Sequence, residues 1–319
     1  MQHQPTVTIG IPVYNEERYL AETIESALNQ SYKNIKVIIS DNNSTDNSFK
    51  IALHYSTIDD RVHVFRQKQN IGAIENFKHS RTLCETPYFM WLGGHDILER
   101  DCIQVAIDYL EQDPLTILAY PTSQGFDEEG WSNEHFDSDI QSDSNEPVVR
   151  MMRILENLER CTAIHGVFRT SVVKEIPFDI DGIDLLVLFT AASYGKLKQT
   201  KGQKYFRRIV RKESREEHQA RMASYKIGSR SNISDARLKV FFSHLKYLPK
   251  NPNLNFNQKR ILFEKLLAYF SLKDARFSTL NLIKNFLWDD LRPSLVMWIL
   301  FSKSNTLVLR LLAKMQVTR

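Results

Sequence analysis

The sequence is poor in cysteine. Its 319 residues contain three, Cys84, Cys102 and Cys161. Their wide, irregular spacing excludes a disulfide framework and the paired patterns of zinc sites, and reads as buried free thiols in a reducing compartment. The N-terminal run Met1-Gln2-His3-Gln4-Pro5 lacks the basic and apolar regions of a signal peptide. No uninterrupted apolar run is long enough to span a bilayer. No internal repeat or low-complexity tract is present. No nucleic-acid module or glycine-aromatic pattern is present either, so nucleic acid is not an expected partner. What remains, at 42% hydrophobic and 25% charged residues, is a globular chain long enough for one large domain with an appendage.

Charge is present but unevenly placed. Residues 1–195 hold 15 Lys and Arg against 30 Asp and Glu, a net −15, whereas residues 196–319 hold 27 against 8, a net +19. Either the C-terminal part faces something anionic, such as a membrane surface, or its helices present solvated basic faces. The apolar run Ser294–Phe301 is broken by Ser302-Lys303-Ser304-Asn305 before Thr306–Leu312. Such a pattern suits a helix lying in a membrane interface or one packed on its own domain.

The first 120 residues alternate strand and helix. Short apolar or β-branched runs predict strands over 6–13, 35–40, 62–65, 88–92 and 116–120. Helical spacing predicts helices over 16–29, 44–56, 71–84 and 101–112, the second N-capped by Ser44. This order predicts an α/β sandwich on a mainly parallel sheet. An acidic, turn-rich stretch over 121–146 reads as a long excursion with a hairpin about Glu129-Gly130. A helix over 147–158, a strand over 163–168, a helix over 183–194 and short strands over 196–200 and 205–209 follow. Helices are expected over 212–227, 234–248, 256–270, 277–288 and 293–313. The domain boundary falls between a unit of residues 1–215 and a basic helical region of residues 216–319.

Two strand endings carry the functional signal. Val7-Thr8-Ile9-Gly10-Ile11-Pro12-Val13 stops at Tyr14-Asn15-Glu16-Glu17, and Val37-Ile38-Ile39-Ser40 stops at Asp41-Asn42-Asn43-Ser44-Thr45-Asp46. A helical pattern separates them, so the strands lie parallel and end at one sheet edge. Ligands of open α/β sheets bind outside that edge. Asn15, Glu16 and Asp41 therefore arrive together where a ligand sits.

These two runs, with Gln69-Asn70-Ile71-Gly72 and Asn76, resemble the nucleotide-binding half of the family 2 glycosyltransferases over roughly the first 210 residues. The resemblance implies the GT-A (Rossmann-like) fold with a C-terminal helical extension and a nucleotide-sugar donor. It assigns base and ribose recognition to Pro12, Tyr14, Asn15, Glu16, Asp41, Asn70 and Gly72. Where the family carries Asp-x-Asp-Asp after a strand, this chain reads Gly93-Gly94-His95-Asp96. The first carboxylate is missing, and His95 stands where a metal-ligating Asp is expected. Three readings follow. His95, with Asp96 nearby, holds a divalent cation, Mn²⁺ or Mg²⁺, on the diphosphate. Alternatively His95 meets the diphosphate directly and basic residues replace the metal, or the site no longer catalyses transfer. Gly93 and Gly94 also permit close approach of ribose or phosphate to the backbone.

On the acceptor side, Phe178-Asp179-Ile180-Asp181-Gly182-Ile183-Asp184 precedes an apolar helix closed by Gly195-Lys196. The family alignment makes Asp184 the general base, with Asp181 second. Either carboxylate also suits a helix cap. Gly166 and Arg169 resemble the family's acceptor-side segment. Tyr205-Phe206-Arg207-Arg208 resembles an aromatic-basic segment that closes over the donor phosphates. The implied function is inverting transfer of a sugar to a hydroxyl of a saccharide or lipid-linked acceptor in cell-surface polysaccharide synthesis. The implied location is cytoplasmic, peripheral on the inner face of the plasma membrane. The competing reading is a non-catalytic nucleotide-sugar-binding or scaffold member of the same fold.

Overall fold

A computed structural model describes residues 4–127, 130–135, 140–158, 161–178, 183–209, 243–244 and 246–273. The chain divides into two compact units, Met1–Asn253 and Leu254–Arg319. In the second, the described element is a helix over Phe256–Lys273. The helices expected over 212–227, 277–288 and 293–313, and most of that over 234–248, lie outside the described residues.

The first unit is built on one sheet. β1 (Val7–Val13) is buried along its whole length and pairs in parallel with β2 (Ile35–Asp41) on one side and β4 (Tyr88–Trp91) on the other. β3 (Val62–Arg66) continues the parallel set beyond β2. The β1–β2 register runs from Val7 opposite Ile35 to Val13 opposite Asp41, so both strands stop at the same edge. Helix α1 (Leu20–Leu28) connects them and buries Leu20, Thr23, Ile24 and Ala27, one stripe at helical spacing. Full burial of Leu20 and Ile24 contributes about 1.5–3 kcal/mol each. α2 (Ser48–Ile58) and α3 (Ala73–Thr82) complete the N-terminal half.

Beyond β4 the sheet is mixed rather than mainly parallel. β5 (Ile97–Leu98), α4 (Cys102–Gln112), β6 (Thr116–Asp127) and β7 (Gly130–His135) follow in sequence, the last two forming the expected hairpin. Then come α5 (Pro147–Asn157), a 3₁₀ turn at Thr162–His165, β8 (Val167–Arg169), α6 (Thr170–Val173), α7 (Ile183–Tyr194) and β9 (Lys196–Arg208). The order is β3-β2-β1-β4-β8-β6-β9-β5, with β7 on β6. β8 runs antiparallel to both β4 and β6. The strands expected over 196–200 and 205–209 are one strand, and its pairing with β6 shifts register between Tyr120 and Thr122. Gly202, at φ +85°, is the one glycine in β9 with a left-handed backbone.

Two helix starts differ from the sequence expectation for one reason. α1 begins at Leu20 rather than residue 16, and α2 at Ser48 rather than Ser44. The backbone N–H of Asn15 donates to Ser44 Oγ (3.0 Å), that of Glu16 to Ser48 Oγ (2.7 Å) and that of Glu17 to Asp46 Oδ2 (3.0 Å). Ser44 and Ser48 serve the loop after β1 rather than capping their own helix, while Asp46 serves both, its Oδ1 accepting the Ser48 N–H at 2.9 Å. Cys84 and Cys102 are buried, and burial pushes the thiols of Cys102 and Cys161 up to about 12, so both stay protonated and inert. Among the described residues no helix is long and apolar enough to cross a membrane.

Candidate functional site

The site begins at the carboxyl edge of β1 and β2. Asn15 sits at φ 56°, a conformation asparagine tolerates, and its Oδ1 accepts the Thr45 N–H at 2.9 Å. Asp41 is fully buried; its carboxylate accepts the Ser44 N–H at 3.2 Å and pairs with Arg66 Nε at 3.3 Å. The Arg66 guanidinium also lies 4.4 Å over the Phe49 ring. Asn70 Oδ1 accepts from Asn42 Nδ2 (2.9 Å) and from the Gly72 N–H (2.8 Å), while Asn42 Oδ1 takes the Ile71 N–H. Gly72, at φ +86°, lets the chain turn into α3. Pro12 is buried in β1 opposite Ser40. Of the residues expected to hold base and ribose, Tyr14 presents an exposed ring, whereas Asn15, Asp41 and Asn70 use side-chain acceptors to shape the rim. Arg66 and Asn42 escaped the sequence reading, although Asn42 lies within a quoted motif.

The second wall is the turn after β4. His95 Nδ1 lies 2.9 Å from Glu16 Oε1, and its Nε2 lies 3.9 Å from Asp96 Oδ1. Asp96 is itself buried, with both oxygens hydrogen-bonded. Its Oδ2 accepts the Tyr205 hydroxyl at 2.5 Å and its Oδ1 the Arg208 N–H at 2.9 Å. Gly93 makes this possible: a Cβ there would lie 2.5 Å from Asp96 Oδ2. The Gly93 N–H in turn donates to the Tyr205 oxygen at 3.3 Å. Gly94 gives room to Glu16, whose Cγ would be 3.1 Å from a Cβ at that position. The wall is backed by Trp91, which meets Phe89 edge-on and stacks on Phe178 at 5.2 Å.

β9 supplies the remaining charges. Arg208, expected at the phosphates, is instead packed as a strut. Its Nε donates to the His95 carbonyl (3.0 Å), its guanidinium pairs with Glu22, and it lies 4.3 Å from the rings of both Tyr19 and Phe126. Arg207 is exposed, and its charge acts on His95, His165, Asp184, Cys161 and Tyr205. Asp184 stands in the first turn of α7, half-buried. Burial pushes its carboxyl up to about 6, with Arg207 pulling the other way. Asp181 lies outside the described residues. His165 escaped the sequence reading; its ring stacks on Tyr205 (centroids 4.6 Å apart, planes at 15°) and its Nδ1 lies 3.1 Å from the Trp91 carbonyl. Burial pulls His165 down to about 4, against the influence of Asp96, which leaves it neutral.

Burial also pulls on His95, but the bond to Glu16 and the charge of Asp96 outweigh it and raise the imidazole to about 9. Among the described residues no group of three or more His, Cys, Asp or Glu side chains is arranged to hold a metal ion. The two expected ligands are already engaged, His95 with Glu16 and Asp96 with Tyr205 and the Arg208 amide.

Gly166, expected on the acceptor side, is packed closely on the face where a side chain would project. A Cβ there would lie 2.6 Å from the Ala119 carbonyl oxygen and 2.6 Å from Tyr120 Cβ, so glycine is required where β6 crosses the turn before β8. Replacing Gly166 with Ala is expected to cost about 3 kcal/mol, since backbone cannot yield as a side-chain tip does. Chemical denaturation of the variant checks this.

Residues 8–176 match the sequence profile of Glycosyl transferase family 2. The chain belongs to glycosyl transferase family 2. Within that family it is 33% identical to a chondroitin synthase of Escherichia coli over 131 residues, which is 41% of this chain and 19% of the relative. It is 29% identical to the glycosyltransferase GlyG of Streptococcus pneumoniae over 106 residues, 33% of this chain and 35% of the relative. The chain thus spans a minor part of these relatives' lengths. Among solved structures it superposes on S. aureus TarS 1-349 in complex with UDP-GlcNAc at a TM-score of 0.60 and 16% identity, covering 90% of this chain and 77% of that one. The mannosyltransferase PcManGT from Pyrobaculum calidifontis, in complex with GDP-Man and Mn²⁺, superposes at 0.51 and 12% identity, covering 99% and 85%. The family 2 fold inferred from the strand endings is the GT-A fold of these structures.

Proposed function

We propose that this chain transfers a sugar from a nucleoside-diphosphate donor to an acceptor hydroxyl, with inversion at the anomeric carbon. The observation that carries the reading is the contact of Glu16 with His95 where the ends of β1 and β4 meet, with His95 and Asp184 both under the electrostatic influence of Arg207 in β9. The nucleotide-sugar complexes of the structural neighbours support the donor class.

In this reading the base stacks on the exposed Tyr14, and the loops stitched by Asn15, Asp41 and Asn70 give it a rigid seat. The diphosphate lies toward His95 and Arg207. Asp184 takes the proton from the acceptor hydroxyl as its oxygen attacks the anomeric carbon. The bond from that carbon to the phosphate oxygen breaks, and the nucleoside diphosphate leaves with the electron pair. Attack opposite the leaving group inverts the configuration. Asp184 suits the base role because burial holds its carboxyl near neutrality, where it ionises yet still accepts a proton readily. The acceptor in this proposal is a saccharide or lipid-linked hydroxyl in cell-surface polysaccharide synthesis. Residues 1–215 form the catalytic region, and the basic residues 216–319 hold the enzyme on an anionic membrane face, consistent with the net +19 of residues 196–319.

A thermal-shift and turnover screen of UDP-, GDP- and dTDP-sugars tests the reading. Stabilisation by one nucleotide class, with release of its diphosphate when acceptor is added, is the expected result. Stabilisation without turnover under any acceptor returns the protein to the non-catalytic alternative. Tyr14→Ala is expected to weaken nucleotide binding about tenfold, the loss of one aromatic stack, measured by calorimetry. Sedimentation with anionic vesicles, lost at high salt, is expected for the membrane role.

A further inference from the structure

His165 has no part in the chemistry assigned so far, yet its geometry is fixed from two sides. It ends the 3₁₀ turn before β8, and its Nδ1 lies 3.1 Å from the carbonyl of Trp91, the last residue of β4. A carbonyl oxygen only accepts, so Nδ1 carries the proton of this contact. In the neutral ring the free lone pair then belongs to Nε2.

The ring also stacks on Tyr205, with centroids 4.6 Å apart and planes at 15°. The Nε2 lone pair lies in the plane of its ring, so near-parallel stacking aims it past Tyr205 rather than at it. Among the described residues the Trp91 carbonyl is the only hydrogen-bond partner of His165. The residue is half-buried, and Nε2 is not among the polar atoms sealed from solvent without a partner. It is therefore an open acceptor held in one tautomer and one orientation, which is the preorganisation that recognition of a donor group needs.

The stacking partner is itself locked. Tyr205 is fully buried; its hydroxyl donates to Asp96 Oδ2 at 2.5 Å and accepts the Gly93 N–H at 3.3 Å. These bonds set the His165 ring beside the turn from Gly93 to Asp96, the turn whose His95 meets Glu16 at the end of β1. In the proposed pose the diphosphate lies at this turn. Phosphate oxygens only accept, so they cannot match Nε2. The part of the donor joined to the diphosphate is the sugar, and its hydroxyls can donate.

Resting on that nucleotide-sugar reading, we infer that His165 is a specificity-determining residue whose Nε2 accepts a hydrogen bond from a hydroxyl of the transferred sugar, with Tyr205 the positioning residue that holds the ring. A site built to pair with a hydroxyl disfavours a sugar that does not present it, because the acceptor is then left unmatched.

The test uses the full chain. UDP, GDP and dTDP are titrated by calorimetry, each bare and then carrying a sugar, as UDP-glucose, UDP-galactose, UDP-GlcNAc, GDP-glucose, GDP-mannose, dTDP-glucose and dTDP-galactose. In His165→Asn the amide nitrogen stands where Nδ1 stood and keeps the bond to the Trp91 carbonyl, while the acceptor at Nε2 is gone. This variant should bind the tightest of these nucleotide sugars about tenfold more weakly, the loss of one hydrogen bond, and bind the bare diphosphate of the same nucleotide unchanged. His165→Gln, whose amide oxygen reaches the place of Nε2, should recover part of the loss. A second measurement needs no variant. In natural protein labelled with ¹⁵N-histidine, Nε2 of His165 should resonate as an unprotonated ring nitrogen and shift toward the protonated position on adding the nucleotide sugar but not the bare nucleotide. Equal losses for sugar and bare nucleotide in His165→Asn, no loss for either, or an Nε2 resonance indifferent to the sugar overturns this inference and leaves the donor reading intact. Binding of none of these nucleotides or nucleotide sugars overturns both.

Discussion

Asp184→Asn is expected to lower kcat by about 10²–10⁴-fold while nucleotide affinity is unchanged, because the substitution removes a proton acceptor and keeps the shape. Rapid-quench turnover and calorimetry on the same preparation measure the two quantities. A second readout separates catalysis from helix capping. Folding raises the Asp184 carboxyl from an ordinary 3.8 to about 6 through burial. The unfolded state therefore ionises first, and the ionised carboxylate weakens the fold; the cost sets in above 3.8 and is complete above about 6. Asn carries no such cost, so the variant should melt higher than the natural protein at neutral pH and show no advantage in acid. A lost rate accompanied by a lower Tm would assign Asp184 a structural role. The expected combination, a slower but more stable protein, is typical where an active site holds a group in an environment that disfavours its working form.

The second large effect is on pH. kcat/KM is expected to rise about tenfold per unit up to about 6, where Asp184 becomes ionised, and to fall above about 9, where His95 loses its proton. The groups facing His95 are Glu16 from the loop after β1, Asp96 from its own turn and Arg207 from β9; Arg207 also faces Asp184. The acidic limb discriminates between two bases. His165 is the other neutral acceptor near the site, and burial holds it at about 4. An acidic limb centred near 4 would move the base role to His165, whereas one near 6 that disappears in Asp184→Asn keeps it at Asp184. The alkaline limb should be absent from His95→Gln.

Much of this was legible in the chain. The two abrupt strand endings predicted a parallel pair, and Val13 does end opposite Asp41. Apolar spacing found α1, α4 and α7 because each buries a periodic stripe or is apolar throughout. The failures share a cause. Ser44 reads as a helix cap by local chemistry, yet its hydroxyl serves Asn15 across the β1–β2 crossover. Arg208 reads as a phosphate ligand, yet it is consumed by Glu22, 186 residues away. Gly166 reads as an acceptor contact, and the structure adds a packing requirement against β6 that the letters do not show. Tyr205 and His165 went unread as a stacked pair because nothing local marks one partner by the other.

By itself the sequence determined the parallel half-sheet, the identity of the family and the kind of chemistry, since these follow from hydrophobic period and from short motifs whose residues are neighbours in the chain. Only the tertiary structure decided the surroundings of each carboxylate. Asp41, Asp96 and Asp184 are indistinguishable as letters. The first two are engaged by the Ser44 amide of the following loop and by Arg66, Tyr205 and Arg208 from other strands, and the third is left in an apolar helix turn that keeps its proton affinity high. That difference arises from burial and mostly from partners distant in sequence, which meet only when the sheet has closed around them.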